Sequence, residues 1–558
     1  MTESMSPAMA AYEEISPLRD KHAAVIWGDN EASPTELRDI LADLDTGLTQ
    51  LSTPLNRDLA EGNVFLRFRR FNFLIDKIIV LDRLGDPLTA IAAWQALEQI
   101  AWFDLTSLPN GGQRFRCLLD RPEAAGIRAR LAAAQRWGTG AALASPYQET
   151  LPVEERIAGL SRIWTVARDG FVWFDHVPEL DWDRAYLDAI PRVIATEATD
   201  AYYRELMRFM ALLHDAHSNV YAPKELAARF YFRPGVHTAK VQGSVLVMEV
   251  IDRDLSKQGL RVGDEILSID GIDVERYAQD HVAPYQSGST PQDLEKRTYS
   301  YALLSGPAEL HVQLGVRDQE GRQHILSAPR SGYQSPVRRR ESFVLRNDGI
   351  AVLTASQFEN DAAASLLDEH MPEVMSAKGL ILDLRGNGGG SSHFGLELLR
   401  HLTEAPLPSM TSMYRESDAL DRARSGKRSP IKWRTLEGSE PQPPRGHIFQ
   451  GPVVMLVDAR TFSAAEDTVA VFKLMRRGVI VGTATGGGTG QPWMFDLPGG
   501  GQARVCVKRD TYPDGTTFVG TGIVPDVQVQ MTIEDVREGR DPVLDRAVRE
   551  VSDKFVGC

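Results

Sequence analysis

A serine at the point where a buried strand turns into a helix can act as a nucleophile, and GPVVMLVDARTFSAAEDTVAVFKLM puts Ser463 there, after a strand ending near Ala459. Free N–H groups and the positive end of the helix dipole then lie where an oxyanion would form, provided a base can reach the hydroxyl. Serine is also a favoured N-cap, so capping alone would account for it. A second strand–turn–helix, GLILDLRGNGGGSSHFGLELLRHL, carries Gly386, Gly388, Gly389 and Gly390 around Asn387. Such glycines let a backbone approach a ligand closely and aim N–H groups at an anion. The spacing is neither GxGxxG nor GxxxxGK(S/T), so oxyanion stabilisation ranks above phosphate cradling, and a tight turn without a ligand stays open. HDAHSNVYAP offers His214 and His217 around Asp215. Two histidines three apart could share a metal, but with no HExxH glutamate or nearby third ligand a single general base fits better. His393, inside the glycine-rich segment, is a rival base.

Several elements must position these groups. SPTELRDILADLDTGLTQL places Leu37, Ile40, Leu41, Leu44, Leu48 and Leu51 at helical spacing, with Ser33 as N-cap, Pro34 at N1 and Glu36 closing a capping box. Similar patterning through KIIVLDRLGDPLTAIAAWQALEQIA and PEAAGIRARLAAAQ predicts a helical N-terminal domain, residues 1–152, without a chemical motif or a fixed-period repeat. Residues 153–235 stay helical up to the histidine segment, and DAYYRELMRFMALL forms an apolar stripe of Tyr203, Leu206, Phe209, Met210 and Leu213. Residues 236–332 read as a small β-rich module. Residues 333–558 alternate strands with helices, which predicts an α/β core.

The chain has 558 residues, 43% hydrophobic and 25% charged, a composition that excludes wholesale disorder and collagen-like repeats. A net charge of −14 gives no global attraction to nucleic acid or an anionic bilayer, so neither is expected as a partner. Cys117, Cys506 and Cys558 are widely spaced and suggest neither a disulfide framework nor a thiolate zinc site. The opening MTESMSPAMAAYEEISPL lacks a charged n-region followed by an apolar run, and GPVVMLVDA is about the strongest apolar stretch, which together predict a cytoplasmic protein.

Taken in order, the D-x-H element (Asp215, His217), GLRVGDEILSIDGIDV, LILDLRGNGGG, LVDARTFSAAED, VIVGTATGGGTGQP and GTGIVPDVQV resemble the family of C-terminal processing and tricorn-core serine peptidases, which includes interphotoreceptor retinoid-binding protein homologues. The likeness runs over roughly residues 155–530. It implies an α/β core of the tricorn-core, ClpP/crotonase-like type with an inserted PDZ-like β domain, here joined to an N-terminal α-helical domain. It implies Ser463 as nucleophile, the N–H groups of Ala464 and Gly388 as oxyanion donors, and Gly389 and Gln491 as substrate contacts. Processing peptidases take a lysine downstream of the serine as base, whereas tricorn-like members take a histidine ahead of the insert. The downstream stretch here is Thr485-Gly486-Gly487-Gly488-Thr489-Gly490-Gln491, without lysine, which points to His217. Tricorn-like members also carry a glutamate just before G-x-x-P-D, and Thr517–Asp526 has no carboxylate at that place. Asp514, Asp510 or Glu466 would have to orient the histidine, or the site is slow or inactive.

The expectation is a cytoplasmic serine peptidase of the tricorn-like branch, needing no metal or cofactor, whose PDZ-like insert presents a peptide or protein substrate by strand addition. The alternatives are a catalytically weak or inactive peptide- or ligand-binding protein on the same scaffold, and an esterase or peptide-tailoring enzyme. For the N-terminal helices the expectation is partner docking or homo-oligomerisation.

Overall fold

The computed structural model describes residues 7–28, 32–57, 64–98, 114–138, 140, 143–332, 340–425, 431–436 and 444–556. Cys558 and the first six residues lie outside them. The chain divides into two compact units, residues 1–144 with 436–440, and residues 145–435 with 441–558.

The first unit is helical. Pro34–Leu51 begins at Ser33, whose hydroxyl accepts the Glu36 N–H, and buries Leu37, Ile40, Leu44 and Leu51, with Leu41 and Leu48 packed at the margin. Val64–Arg83 and Pro87–Glu98 supply Phe73, Ile78, Trp94 and Leu97 to the same core.

The second unit starts with three helices, Val153–Gly170, Trp182–Ala195 and Thr199–Ala211. The last of these buries Tyr203, Leu206, Phe209 and Met210 completely. The Tyr203 hydroxyl donates to the Pro498 carbonyl at 2.7 Å and accepts the Gly501 N–H at 2.9 Å, tying the helix to a hairpin 295 residues or more downstream. Directly after the helix, the short strand Asn219–Tyr221 pairs antiparallel with Gln502–Cys506, Asn219 opposite Arg504. That pairing carries the histidine segment across to the α/β core.

The core is a six-stranded sheet in the order Val527–Gln528, Val479–Gly482, Val453–Val457, Gly379–Asp383, Ile350–Thr354, Ser342–Leu345. The first five strands are parallel and the last is an antiparallel edge. Gly379–Asp383 and Val453–Val457 are buried along their whole length, as parallel strands covered on both faces must be. Their side chains alternate accordingly. Leu380, Leu382, Val453, Met455 and Val457 join the large core with Ala464–Met475, whereas Ile381, Val454 and Leu456 meet Val543, Ala547 and Val551 of the helix Pro542–Val556.

The inserted module has its own core and an antiparallel sheet ordered Val236–Val241, Ser244–Val250, Glu265–Ile269, Val312–Arg317, Gln323–Ala328, with Ile272–Asp273 paired to the third strand. Between its third and fourth long strands, residues 274–302 are largely helical, a feature the β-rich reading of 236–332 passes over. No described helix is long and apolar enough to cross a membrane.

Candidate functional site

Ser463 stands at the junction between the strand Val453–Val457 and the helix Ala464–Met475 with φ +59° and ψ −127°. A side-chain-bearing residue at positive φ is strained by about 1–3 kcal/mol and persists only when its surroundings over-determine it. They do. The Ser463 N–H donates to the Gly488 carbonyl at 2.9 Å and lies 3.3 Å from Glu466 Oε2, while Phe462 N–H donates to the Asn387 carbonyl at 3.0 Å. The Thr461 hydroxyl donates to the Leu384 carbonyl, and Asp458 accepts the Gly386 N–H. The serine turn and the glycine turn are therefore cross-linked.

Glu466 is fully buried and is the hub of this arrangement. Its carboxyl accepts the Thr485 hydroxyl at 2.5 Å and the N–H groups of Gly487 and Gly488 at 2.7 and 2.9 Å. Burial pushes it up to about 8 against the opposing pull of these donors. Glu466 thus shapes the loop that lacks a lysine. It is not behind the histidine.

The glycine turn is anchored at its base by Arg385, which is held by both oxygens of Asp383 and of Asp541 at 2.7–2.9 Å. Gly389, at φ +95°, lies so close to the serine turn that an added Cβ would come within 2.7 Å of the Phe462 carbonyl, 2.8 Å of Ser463 Cβ and 2.9 Å of Ala464 N. Its own N–H is taken by Asn387 Oδ1 at 2.9 Å. Among the described residues, the N–H groups of Gly388 and Ala464 donate to no protein acceptor, so both are available where this turn meets the helix start.

His217 is buried, and its Nε2 is 3.1 Å from Ser463 Oγ across 246 positions of sequence. Its ring stacks on Phe462 with centroids 4.7 Å apart and planes 16° apart. Burial, then the positive charges of Arg504, Arg297 and Lys508, lower it from the ordinary histidine value to about 3. Its loop is held from two sides. Arg504 bridges Asn219 Oδ1 and the Ala216 carbonyl, and Ser289 Oγ of the module accepts the Ala216 N–H at 2.9 Å. Asp215 does not face the imidazole with a hydrogen bond. It accepts the Ser218 hydroxyl at 2.6 Å, and burial raises it to about 6.

The remaining candidates separate cleanly. His393 is exposed on the first turn of Ser392–Leu399 beside Phe394, and His214 is exposed at φ +47°. No group of His, Cys, Asp or Glu side chains among the described residues could hold a metal ion. The expected orienting acids need correction. Asp514 is an exposed turn residue bonded to Thr516, which lowers it, and Asp510 is engaged by Ser412 and Lys508. No described protein group accepts from His217 Nδ1. Gln491 is exposed at the start of the hairpin, its carbonyl accepting the Val507 N–H. The signals missed in the sequence are Phe462, Ser289 and Arg297. The first was not singled out within LVDARTFSAAED, and the other two fall in the unread helical stretch of the module.

A cleft of about 1190 Å³ runs between the module and the core. It is lined by the edge strand from Thr238 to Val241 and the turn after it, by Tyr301, by Arg460, and by Gly386, Gly388, Gly389 and Gly390.

The sequence model described as peptidase family S41 matches residues 349–529. A Streptomyces coelicolor protein named as a tricorn protease homolog is 25% identical over 409 residues, 68% of this chain and 31% of that protein. The carboxyl-terminal-processing protease of Synechocystis is 27% identical over 285 residues, 51% of this chain and 58% of the relative. The chain therefore spans about a third and somewhat over half of these two relatives. Mature CPAF, solved in complex with lactacystin, aligns with 73% of this chain and 99% of its own at 15% identity and a TM-score of 0.56, a likeness of fold. Serine turn, glycine turn and parallel sheet all lie in the matched stretch, and residues 349–529 form a domain of peptidase family S41.

Proposed function

We propose that this protein is a serine peptidase that hydrolyses peptide bonds through an acyl-enzyme on Ser463, with His217 as general base. The observation that carries this reading is the 3.1 Å contact between His217 Nε2 and Ser463 Oγ at the head of a helix. A contact of that length lets a neutral imidazole take the hydroxyl proton as Oγ bonds to the substrate carbonyl carbon. The carbonyl oxygen gains the negative charge and is received by the N–H groups of Ala464 and Gly388. One such donor is worth about 2.7–4 kcal/mol in a comparable acyl-transfer site. The imidazolium returns its proton to the leaving amine as the C–N bond breaks, and water releases the acyl group by the same steps in reverse.

The module is read as PDZ-like. Its edge strand Val236–Val241 borders the cleft that the glycine turn also lines, so an extended peptide added to that edge would lead its scissile bond toward Ser463. The lack of a partner for His217 Nδ1 among the described residues favours one second reading, a binder with weak or no catalysis. Loss of the acid from a Ser-His-Asp triad lowers kcat by about 10⁴.

Labelling with a fluorophosphonate decides between the two. The peptidase reading expects stoichiometric labelling that disappears in Ser463→Ala while the fold, followed by circular dichroism, is unchanged. An unlabelled wild type that still binds peptides supports the binder.

A further inference from the structure

A general base must be held in one plane to meet its nucleophile repeatedly, and in Ser-His-Asp sites a carboxylate on Nδ1 does this. Here Glu466, Asp510, Asp514 and Asp215 each bond to other groups, no described protein group accepts from His217 Nδ1, and the side chain stacked on the imidazole is Phe462. Phe462 immediately precedes Ser463, so the surface that receives the imidazole and the atom it serves belong to one turn. The phenyl ring is itself confined. Gly486 and Gly488 lie so near that an added Cβ on either would come within 2.8 and 2.6 Å of ring carbons. The Arg297 guanidinium carbon sits 5.5 Å from the ring centroid, and its Nε is held at 2.9 Å by both oxygens of buried Asp293.

We propose that Phe462, held by Arg297, is the positioning residue of His217, its stacked ring fixing the imidazole plane toward Ser463 where no described carboxylate bonds to Nδ1. The idea rests on the reading of His217 as the base. Stacking sets the plane of a ring, whereas a carboxylate also selects the tautomer by accepting the Nδ1 proton. A site oriented by stacking alone therefore keeps Ser463 reactive but turns over more slowly than one with an acid. Arg297 has two effects here: it braces the phenyl ring, and its charge, like those of Arg504 and Lys508, opposes protonation of the imidazole it helps to hold. Both Arg297 and Asp293 belong to the inserted module, so the base is oriented in part from outside the domain that carries the nucleophile.

The test uses the full chain and compares wild type, Phe462→Leu, Arg297→Gln and Arg297→Lys. Fluorophosphonate labelling of Ser463 is expected to slow about tenfold in Phe462→Leu, the size of effect an aromatic pair supports. It should slow less in Arg297→Gln and be largely restored in Arg297→Lys. On a peptide substrate the loss should fall on kcat with KM unchanged. Independently of activity, nuclear magnetic resonance of histidine-labelled protein should show the His217 ring protons shifted upfield by the phenyl ring current, a shift absent in Phe462→Leu. Wild-type labelling rates in Phe462→Leu and Arg297→Gln, or no upfield shift in the wild type, would overturn the proposal. Should the wild type resist labelling altogether, the peptidase reading falls, while the ring-current comparison still decides whether Phe462 holds the imidazole.

Discussion

The imidazole of His217 is surrounded by conditions that keep it neutral: burial first, then the charges of Arg504, Arg297 and Lys508. On the proposed reading, neutral imidazole is the form that accepts the serine proton, so protonation, not deprotonation, would end the activity as pH changes. With the ring lowered to about 3, the labelling rate of Ser463 is expected to stay level from pH 7 down to pH 5, instead of falling through the ordinary histidine range near 6.5. Arg504→Ala removes a cation and one anchor of the Ala216 carbonyl, so its rate should be lower and its acid limb should move upward in pH. A pH series of labelling rates on both proteins checks the sign. Stability follows the same direction. Between about 3 and 6.5 the unfolded chain binds the proton that folded His217 refuses, so acidification through that window weakens the fold.

Two strand-to-helix turns meet at the site, and their fit depends on one residue without a side chain. Gly389→Ala would drive a Cβ into the Phe462 carbonyl, Ser463 Cβ and Ala464 N, at a backbone conformation that alanine adopts at a cost. The expected result is a loss of about 1–3 kcal/mol in stability, read as a lower melting temperature, together with severe loss of labelling. Gly386→Ala is the control, because nothing lies within 4 Å of an added Cβ there and only its φ of +79° is strained. The turns themselves were legible from glycine spacing and from the buried strands before them. Glu466 was legible in the sequence as a candidate orienting acid for the histidine. Its work, accepting three donors from the 485–488 loop, depends on a loop that closes on it from 19 or more positions away.

Across the second unit, the inserted module is fastened to the His217 loop and to the 485–488 and Thr521 loops by three side chains of one short segment. Ser289 holds the loop of His217, Thr290 donates to the Gly486 carbonyl at 2.9 Å, and Gln292 donates to the carbonyls of Thr485 and Thr521 at 2.9 Å. The module is thus part of the site's framework as well as a border of its cleft. Replacing all three as Ser289→Ala, Thr290→Val and Gln292→Ala should remove up to about 1 kcal/mol per hydrogen bond from the docking of module on core. Labelling should slow although none of the three is the nucleophile or the base, and far-ultraviolet circular dichroism should remain that of the folded chain. An unchanged labelling rate would show that the module is docked by other contacts.

The chemistry-bearing residues were readable from type and order alone: a serine at a helix start, a glycine-rich turn, a histidine after an amphipathic helix, and no lysine in the loop between Thr485 and Gln491. Local sequence suffices for these because strand, turn and helix preferences act over a few residues. What only the tertiary structure decided is which histidine reaches the serine, and what holds it there. His217 is 246 positions from Ser463, and it arrives through the pairing of Asn219–Tyr221 with Gln502–Cys506. His393, only 70 positions from the serine, points to solvent. The stack of Arg297, Phe462 and His217 joins three segments with no common pattern, because packing selects neighbours by shape and burial, which leave no trace in the spacing of any one segment.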